Sequence, residues 1–235
     1  MAATVVDTVS AGDGAGDTTQ TTGNLTVSGS NRVLWVWAVA SSATPADPTE
    51  VRWQGSGGTL LTKIGSGVVY GTFGTISLWE LKNPTATTNT VYASWAAAHD
   101  TRILYAAAVQ DVDQTTPKGT VATNTGIATD PTLAVTSTSG QLVLDGTAVI
   151  DFLGRSITHT QGAGQTKLEG LVADISDSEA GSSEAASGTT TTMSWTLSVT
   201  DASVSWASMG FAVNGAPVGL GPPALIANVI RNRGA

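Results

Sequence analysis

Val33-Leu34-Trp35-Val36-Trp37-Ala38-Val39 is the stretch that decides the fold. An unbroken apolar run of this length is too short to span a membrane. It is rich in Val and Trp, which fit a pleated surface better than a helix. Successive side chains of a strand point to opposite faces. A strand that is apolar at every position therefore needs a covering layer on both sides, and this run reads as a central strand between two such layers.

Strand signals recur outward from it, separated by turn residues. Ile76 and Leu78 share a face within Thr75 to Leu81, as do Val91, Ala93 and Trp95, and then Ile103, Tyr105, Ala107 and Val109. The second half repeats the theme with Leu142 and Leu144, then Met193, Trp195 and Leu197, then Val204 and Trp206. No comparable segment before residue 222 carries a helical period. Only 12% of residues are charged, about half the usual share. The polar surface must come from Thr, Ser, Asn and the 27 Gly, a composition that favours sheet and turn. The fold class is all-β.

The two halves also echo one another. Leu25 to Ser30 leads into Arg32 to Val39, and Leu133 to Gly140 leads into Gln141 to Val149. A hairpin from Val91 to Val109, turning at His99-Asp100, has a counterpart from Met193 to Val213, turning at Thr200-Asp201. Such halves are either tandem domains or interleaved parts of one sandwich. The double-sided strand favours one jelly-roll-like antiparallel sandwich across residues 1–213, because neither half has strands enough to cover both of its faces. Gln114 to Pro131 then connects the halves, and the acidic Ser/Gly/Ala stretch 174–192 is a loop.

Residues 214–235 form a separate C-terminal arm, extended and then briefly helical. Pro223 stands at a first helical position, and Leu225, Ile226, Val229 and Ile230 give one apolar face over two turns. The arm carries Arg231 and Arg233 and no acid, within a chain of formal charge −8. Two turns cannot bury that face by themselves, and an isolated helix so short is unstable in water. The six residues Leu225, Ile226, Val229, Ile230, Arg231 and Arg233 are therefore expected to anchor the chain to a partner or to a neighbouring copy. The alternative is that the arm folds back on its own sandwich.

Composition removes several function classes. A net negative chain with no Lys/Arg patch does not suit nucleic acid, and no run of 18 apolar residues offers a membrane span. The start of the chain shows no signal peptide. With no Cys there are no disulfides, zinc fingers or thiol chemistry, which suits assembly in a bacterial cytosol.

No enzymatic site is expected. Neither His99 nor His159 stands in a nucleophile motif, and no G-x-S-x-G occurs. Glu80, Asp145 and Asp151 are the candidates for paired glycosidase carboxylates. However, no strand carries two acids spaced for that work, and Asp145 falls on the face opposite Leu142 and Leu144, where a solvated residue belongs. Asp111-Val112-Asp113 and the acids at 174–184 offer oxygen ligands of the kind calcium takes, without the spacing of a defined calcium loop. Gly12-Asp13-Gly14-Ala15-Gly16 lacks the Lys and Ser/Thr of a phosphate loop and reads as a turn. Among the seven Trp, Trp53, between Arg52 and Gln54 and before a Gly/Ser run, is the best candidate for exposure and for stacking on a sugar. Core or interface packing is the competing use.

Four segments taken in order carry a resemblance: Gly29-Ser30-Asn31-Arg32-Val33-Leu34-Trp35-Val36; Glu50-Val51-Arg52-Trp53 with Leu60-Leu61-Thr62-Lys63-Ile64; Ser77-Leu78-Trp79-Glu80-Leu81-Lys82-Asn83-Pro84; and Val109-Gln110-Asp111-Val112-Asp113-Gln114-Thr115-Thr116-Pro117. Over residues 25–120 this series resembles a family of lectin-like β-sandwich proteins from tailed bacteriophages and prophages. The resemblance implies a virion structural role, with other virion proteins of capsid or tail as partners, and brings no catalytic residues. A capsid decoration or head-fibre protein is the first expectation. A tail-fibre or surface module binding a host glycan or receptor is the second. Homo-oligomers fit either.

Overall fold

The structure, a computed structural model, describes residues 1–14, 16–172 and 177–217. The first half contains β1 (Thr4–Asp13), β2 (Thr19–Thr21), β3 (Leu25–Val27), β4 (Val33–Ser41), β5 (Glu50–Trp53), β6 (Thr59–Leu60), β7 (Thr62–Tyr70), β8 (Gly74–Lys82), β9 (Thr87–Asn89), β10 (Val91–Ser94) and β11 (Thr101–Gln110). The second contains β12 (Ala122–Ile127), β13 (Thr132–Thr136), β14 (Leu142–Asp151), β15 (His159–Gln161), β16 (Thr166–Val172), β17 (Asp177–Ala185), β18 (Thr190–Leu197) and β19 (Val204–Val213). Pairing between the strands is antiparallel throughout these sheets. The fold is an all-β sandwich architecture.

The order of the strands is informative. In the first half, β1-β11-β4-β8-β7 forms one sheet and β2-β10-β5-β6 the other. In the second half, β12-β19-β14-β17-β16 forms one sheet and β13-β18-β15 the other. Both large sheets alternate first, last, middle and late strands of their half, the jelly-roll order. The halves are thus neither interleaved nor independent. Each closes its own sandwich, and the two five-stranded sheets then pack face to face, giving four layers.

β4 shows why. Leu34, Val36, Ala38 and Ala40 point into the first half's own core, with Val51, Trp53, Val91 and Trp95. Val33, Trp35, Trp37 and Val39 point the other way, into a core shared with Leu144, Ala148, Met209 and Phe211 of the second half. The covering layer that the double-sided strand demands is the other half's sheet. Trp37 stacks on Tyr105 (centroids 4.8 Å apart) and on Phe211 (5.8 Å), and its Nε1 donates to the Met209 carbonyl at 3.1 Å. Glycines make room for these rings. A Cβ on Gly146 would lie 2.6 Å from Trp37, and one on Gly181 would lie 2.2 Å from Tyr105.

The expected interleaving of the two halves in one sandwich is corrected by this arrangement, and three further expectations are corrected. The stretch 114–131 is not all connection, because it contains β12, an edge strand whose mostly polar, exposed residues hid it. The acidic "loop" 174–192 contains β17, buried from Asp177 to Ser183 between β14 and β16. Its small Ser, Ala and Gly side chains are what allow the aromatic rings of the first half to lie against it. Finally, 91–109 and 193–213 are not hairpins: β10 and β11 lie in different sheets, as do β18 and β19. His99-Asp100 and Thr200-Asp201 cross from one layer to the next.

Candidate functional site

Strand register sorts the surface into two ends. Val33, Lys82 and Gln110 in the first half, and Leu142, Ala185 and Val213 in the second, lie at one end. Ser41, Gly74 and Thr101, with Asp151, Asp177 and Val204, lie at the other.

The first end is where the chain enters, crosses and leaves. Three residues there take left-handed backbone conformations without being glycine: Asn31 (φ 47°), Asn83 (φ 53°) and Asp111 (φ 58°). Asn and Asp tolerate that region because their short side chains bond locally. Around them the Arg32 carbonyl accepts from the Asn83 N–H at 2.8 Å and from Gln114 Nε2 at 3.2 Å. Arg32 Nε donates to the Pro84 carbonyl at 3.0 Å, and the Asp111 N–H donates to the Ser30 carbonyl at 2.9 Å. Three of the four segments that carried the resemblance therefore meet in one turn network. The exit of the chain is tied into it. Val112 bridges to Gly215, the Ala216 N–H donates to the Asp111 carbonyl, and the Met1 amine donates to the Ala216 carbonyl, each of these two bonds being 2.6 Å. The arm residues Leu225, Ile226, Val229, Ile230, Arg231 and Arg233 lie outside the described residues.

The opposite end carries a cleft of about 590 Å³ along the seam between the halves. Val69, Tyr70, Gly71 and Thr72 line one wall; Thr125, Gly126, Ile127, Phe152, Ala202 and Ser205 line the other. Phe73 and Phe152 meet edge to face at 5.5 Å across the seam. Val69, Phe73, Ile127, Phe152 and Leu153 are all exposed here. Their presentation is built in. The Asp151 carboxylate accepts the N–H groups of Leu153 (3.2 Å) and Arg155 (3.0 Å), Arg155 Nε (2.7 Å) and Ser203 Oγ (2.6 Å). The Arg155 guanidinium, foremost, with Ser203 and the two N–H groups, holds the Asp151 carboxyl far below the usual carboxylate range. Gly154 (φ 69°) then turns the loop that displays Phe152 and Leu153.

The other sequence candidates have structural partners. Trp53, expected to be the most exposed Trp, is fully buried in the first core, with Nε1 donating to the Thr85 carbonyl at 3.3 Å. It lies on the face of β5 that looks at β4, so it cannot stack on a ligand. Asp145, expected in solvent, is buried because its face of β14 looks at β18, not at water. Its carboxylate accepts Trp195 Nε1 at 2.8 Å and the Ser182 N–H at 3.1 Å, and burial raises its pKa to about 6. Glu80 is buried against Trp35 Nε1 (2.9 Å) and Lys118 Nζ (2.7 Å), which clamps the crossing segment onto the shared core. Both His99 and His159 are buried, His99 against Ser42 Oγ. Asp111 and Asp113 do not share a strand face. β11 ends at Gln110, and Asp113 instead accepts the Thr115 N–H at 2.8 Å. Among the described residues no three His, Asp or Glu are grouped to hold a metal such as calcium.

Sequence reasoning missed Glu179. It is buried in β17 on the face turned to the first half, and among the described residues neither carboxyl oxygen has a hydrogen-bond partner. Tyr105 Oη, which faces the same core, is likewise unpartnered. Burial, with Glu169 and Asp145 nearby, pushes the Glu179 pKa well above its ordinary value. The signal that hides such a residue is local: Ser-Glu-Ala-Gly reads as loop.

No family model matches the chain, and no curated protein and no solved structure matches it either.

Proposed function

We propose that this chain is a bacteriophage virion structural protein without catalytic activity, a capsid decoration or head-fibre protein attached through its C-terminal arm. The observation that carries the reading is the polarity of the molecule. Chain entry, crossover and exit are knotted together at one end, while an apolar cleft opens at the other. A module anchored by its arm and presenting its far end has this layout. The turn network at the exit end also holds Gly29 to Arg32, Lys82 to Pro84 and Val109 to Pro117, the segments on which the resemblance rests. The acids that could have served hydrolysis, Glu80 and Asp145, are committed to Trp35, Lys118, Trp195 and Ser182.

The test is co-sedimentation of the purified full chain with phage particles that lack it. Wild type is expected to bind, and Ile226→Asp/Val229→Asp to lose binding at an unchanged melting temperature. Equal binding by both would refute attachment through the arm. A second reading, glycan or receptor binding, is favoured by aromatic and hydroxyl groups sharing the cleft: Tyr70, Phe152, Thr72, Thr125 and Ser205. The 66° angle between Phe73 and Phe152 leaves at most one of them free to lie flat on a sugar. Titration of host surface glycans that saturates, and that fails in Phe152→Ala, would favour this reading over the first.

A further inference from the structure

We propose that the cleft at the far end receives the apolar face of the C-terminal segment, residues 218–235, of a second copy, so that copies join head to tail. This rests on the reading of the arm as an anchor and names one surface it binds. Singly exposed aliphatic residues are ordinary, but a contiguous group rimming a cleft marks an interaction site. Ile127 and Leu153 are 57% and 68% exposed, and the Asp151–Arg155 network fixes the loop that carries Leu153. The cleft volume is in the range that accepts a few apolar side chains. Leu225, Ile226, Val229 and Ile230 supply four such side chains on one helical face. Asp100, exposed beside Phe73, is placed to meet an arginine of the arm.

Reach decides whose cleft is filled. β19 has 10 residues and runs from the cleft end to the exit end, about 33 Å at strand rise. Between Pro217 and the expected helix start at Ala224 lie residues 218–223, which span at most about 21 Å when fully extended. β19 also runs away from the cleft, and Ala216 is held at the exit end by Met1 and Asp111. Adding ~9 Å of helical rise from Ala224 to Ile230, the apolar face meets the cleft of its own copy only if 218–223 run straight back fully extended along the flank, whereas a neighbour stacked end to end presents its cleft beside the exit. Such a contact joins two different surfaces, so it repeats, closing a ring or extending a filament.

Sedimentation velocity on the full chain tests this with two variants, Ile127→Asp in the cleft and Ile226→Asp/Val229→Asp in the arm. Wild type is expected to associate as concentration rises, and each variant alone to associate at least ~10-fold more weakly. A mixture of the two variants should form a complex limited to one of each, because one supplies a sound arm and the other a sound cleft. Val69→Asp, at another exposed residue lining the cleft, repeats the cleft test should Ile127→Asp melt early. A wild-type chain that stays monomeric to ~100 µM, association unaffected by both cleft variants, or a mixture that stays monomeric would overturn the proposal. Failure of the anchor reading looks different. A monomeric chain that still binds particles through Ile226 and Val229 overturns the cleft assignment alone. Self-association that depends on the arm, without particle binding, overturns attachment alone.

Discussion

Replacing Glu179 by Gln removes an ionisable group from the seam between the two sandwiches while keeping its size. In the folded protein the carboxyl is fully buried, and both oxygens lack hydrogen-bond partners among the described residues. Tyr105 on β11 and Glu169 on β16 lie on its side of the sheet, and Asp145 on β14 and Lys167 on β16 act on it from the opposite face. Of these only Lys167 favours ionisation. Glu169 is itself held by Thr8 Oγ1 at 2.9 Å and Ser10 Oγ at 3.1 Å. Glu179 therefore keeps its proton in the folded state well above the pH at which it loses it in the unfolded chain. The sign follows. Above the unfolded pKa of ~4.3 the folded state holds one more proton, so stability falls as pH rises, and it continues to fall until the folded pKa is passed. While the proton is retained the slope is ~1.4 kcal/mol per pH unit. Asp145 adds a parallel slope up to about pH 6, and other groups oppose it, so the total curve is not diagnostic. The difference between wild type and Glu179→Gln is. Denaturant melts of both proteins from about pH 5 upward should show Glu179→Gln gaining relative stability as pH rises, by ~1.4 kcal/mol for each pH unit over which the folded protein keeps the proton. A difference that stays flat would mean that Glu179 ionises freely, and the seam would then be open to water.

Trp37→Ala should cost about 3–5 kcal/mol as a buried aromatic truncation, read by denaturant melts, since its ring contacts both halves. Gly181→Ala should cost about 1–3 kcal/mol by overpacking against Tyr105, whereas Gly188→Ala, with open space around it, should change little. His159 is buried and its pKa is depressed to about 3, chiefly by burial. Stability should therefore fall as pH drops from ~6.5 towards 3, and His159→Gln should remove that component of the acid melt.

The core was legible where the pattern was strong. Trp35 and Trp37 alternate with Leu34 and Val36, and that alone requires two covering layers, which the structure supplies from both halves. β17 was illegible for the opposite reason. Its inward face consists of Asp, Glu, Gly and Ser, and these residues lie inside because β11, distant in sequence, packs over them with Tyr105 against Gly181. Trp53 misled because its neighbours Arg52 and Gln54 describe the outer face of β5, while Trp53 itself occupies the inner one. The far-end cleft could not be read from the sequence at all. Val69 and Ile127 come from the ends of β7 and β12 and Phe152 from the turn after β14, and they meet only when the two large sheets pack.

Imaging the intact assembly that contains this chain tests the central claim most directly. The copy touching the particle should do so with the end formed by Asn31, Asn83, Asp111 and Ala216, and density for 218–235 should enter the particle surface or the cleft of the next copy. A chain bound by its flank, or by the cleft end with 218–235 free of any contact, would contradict attachment through the arm.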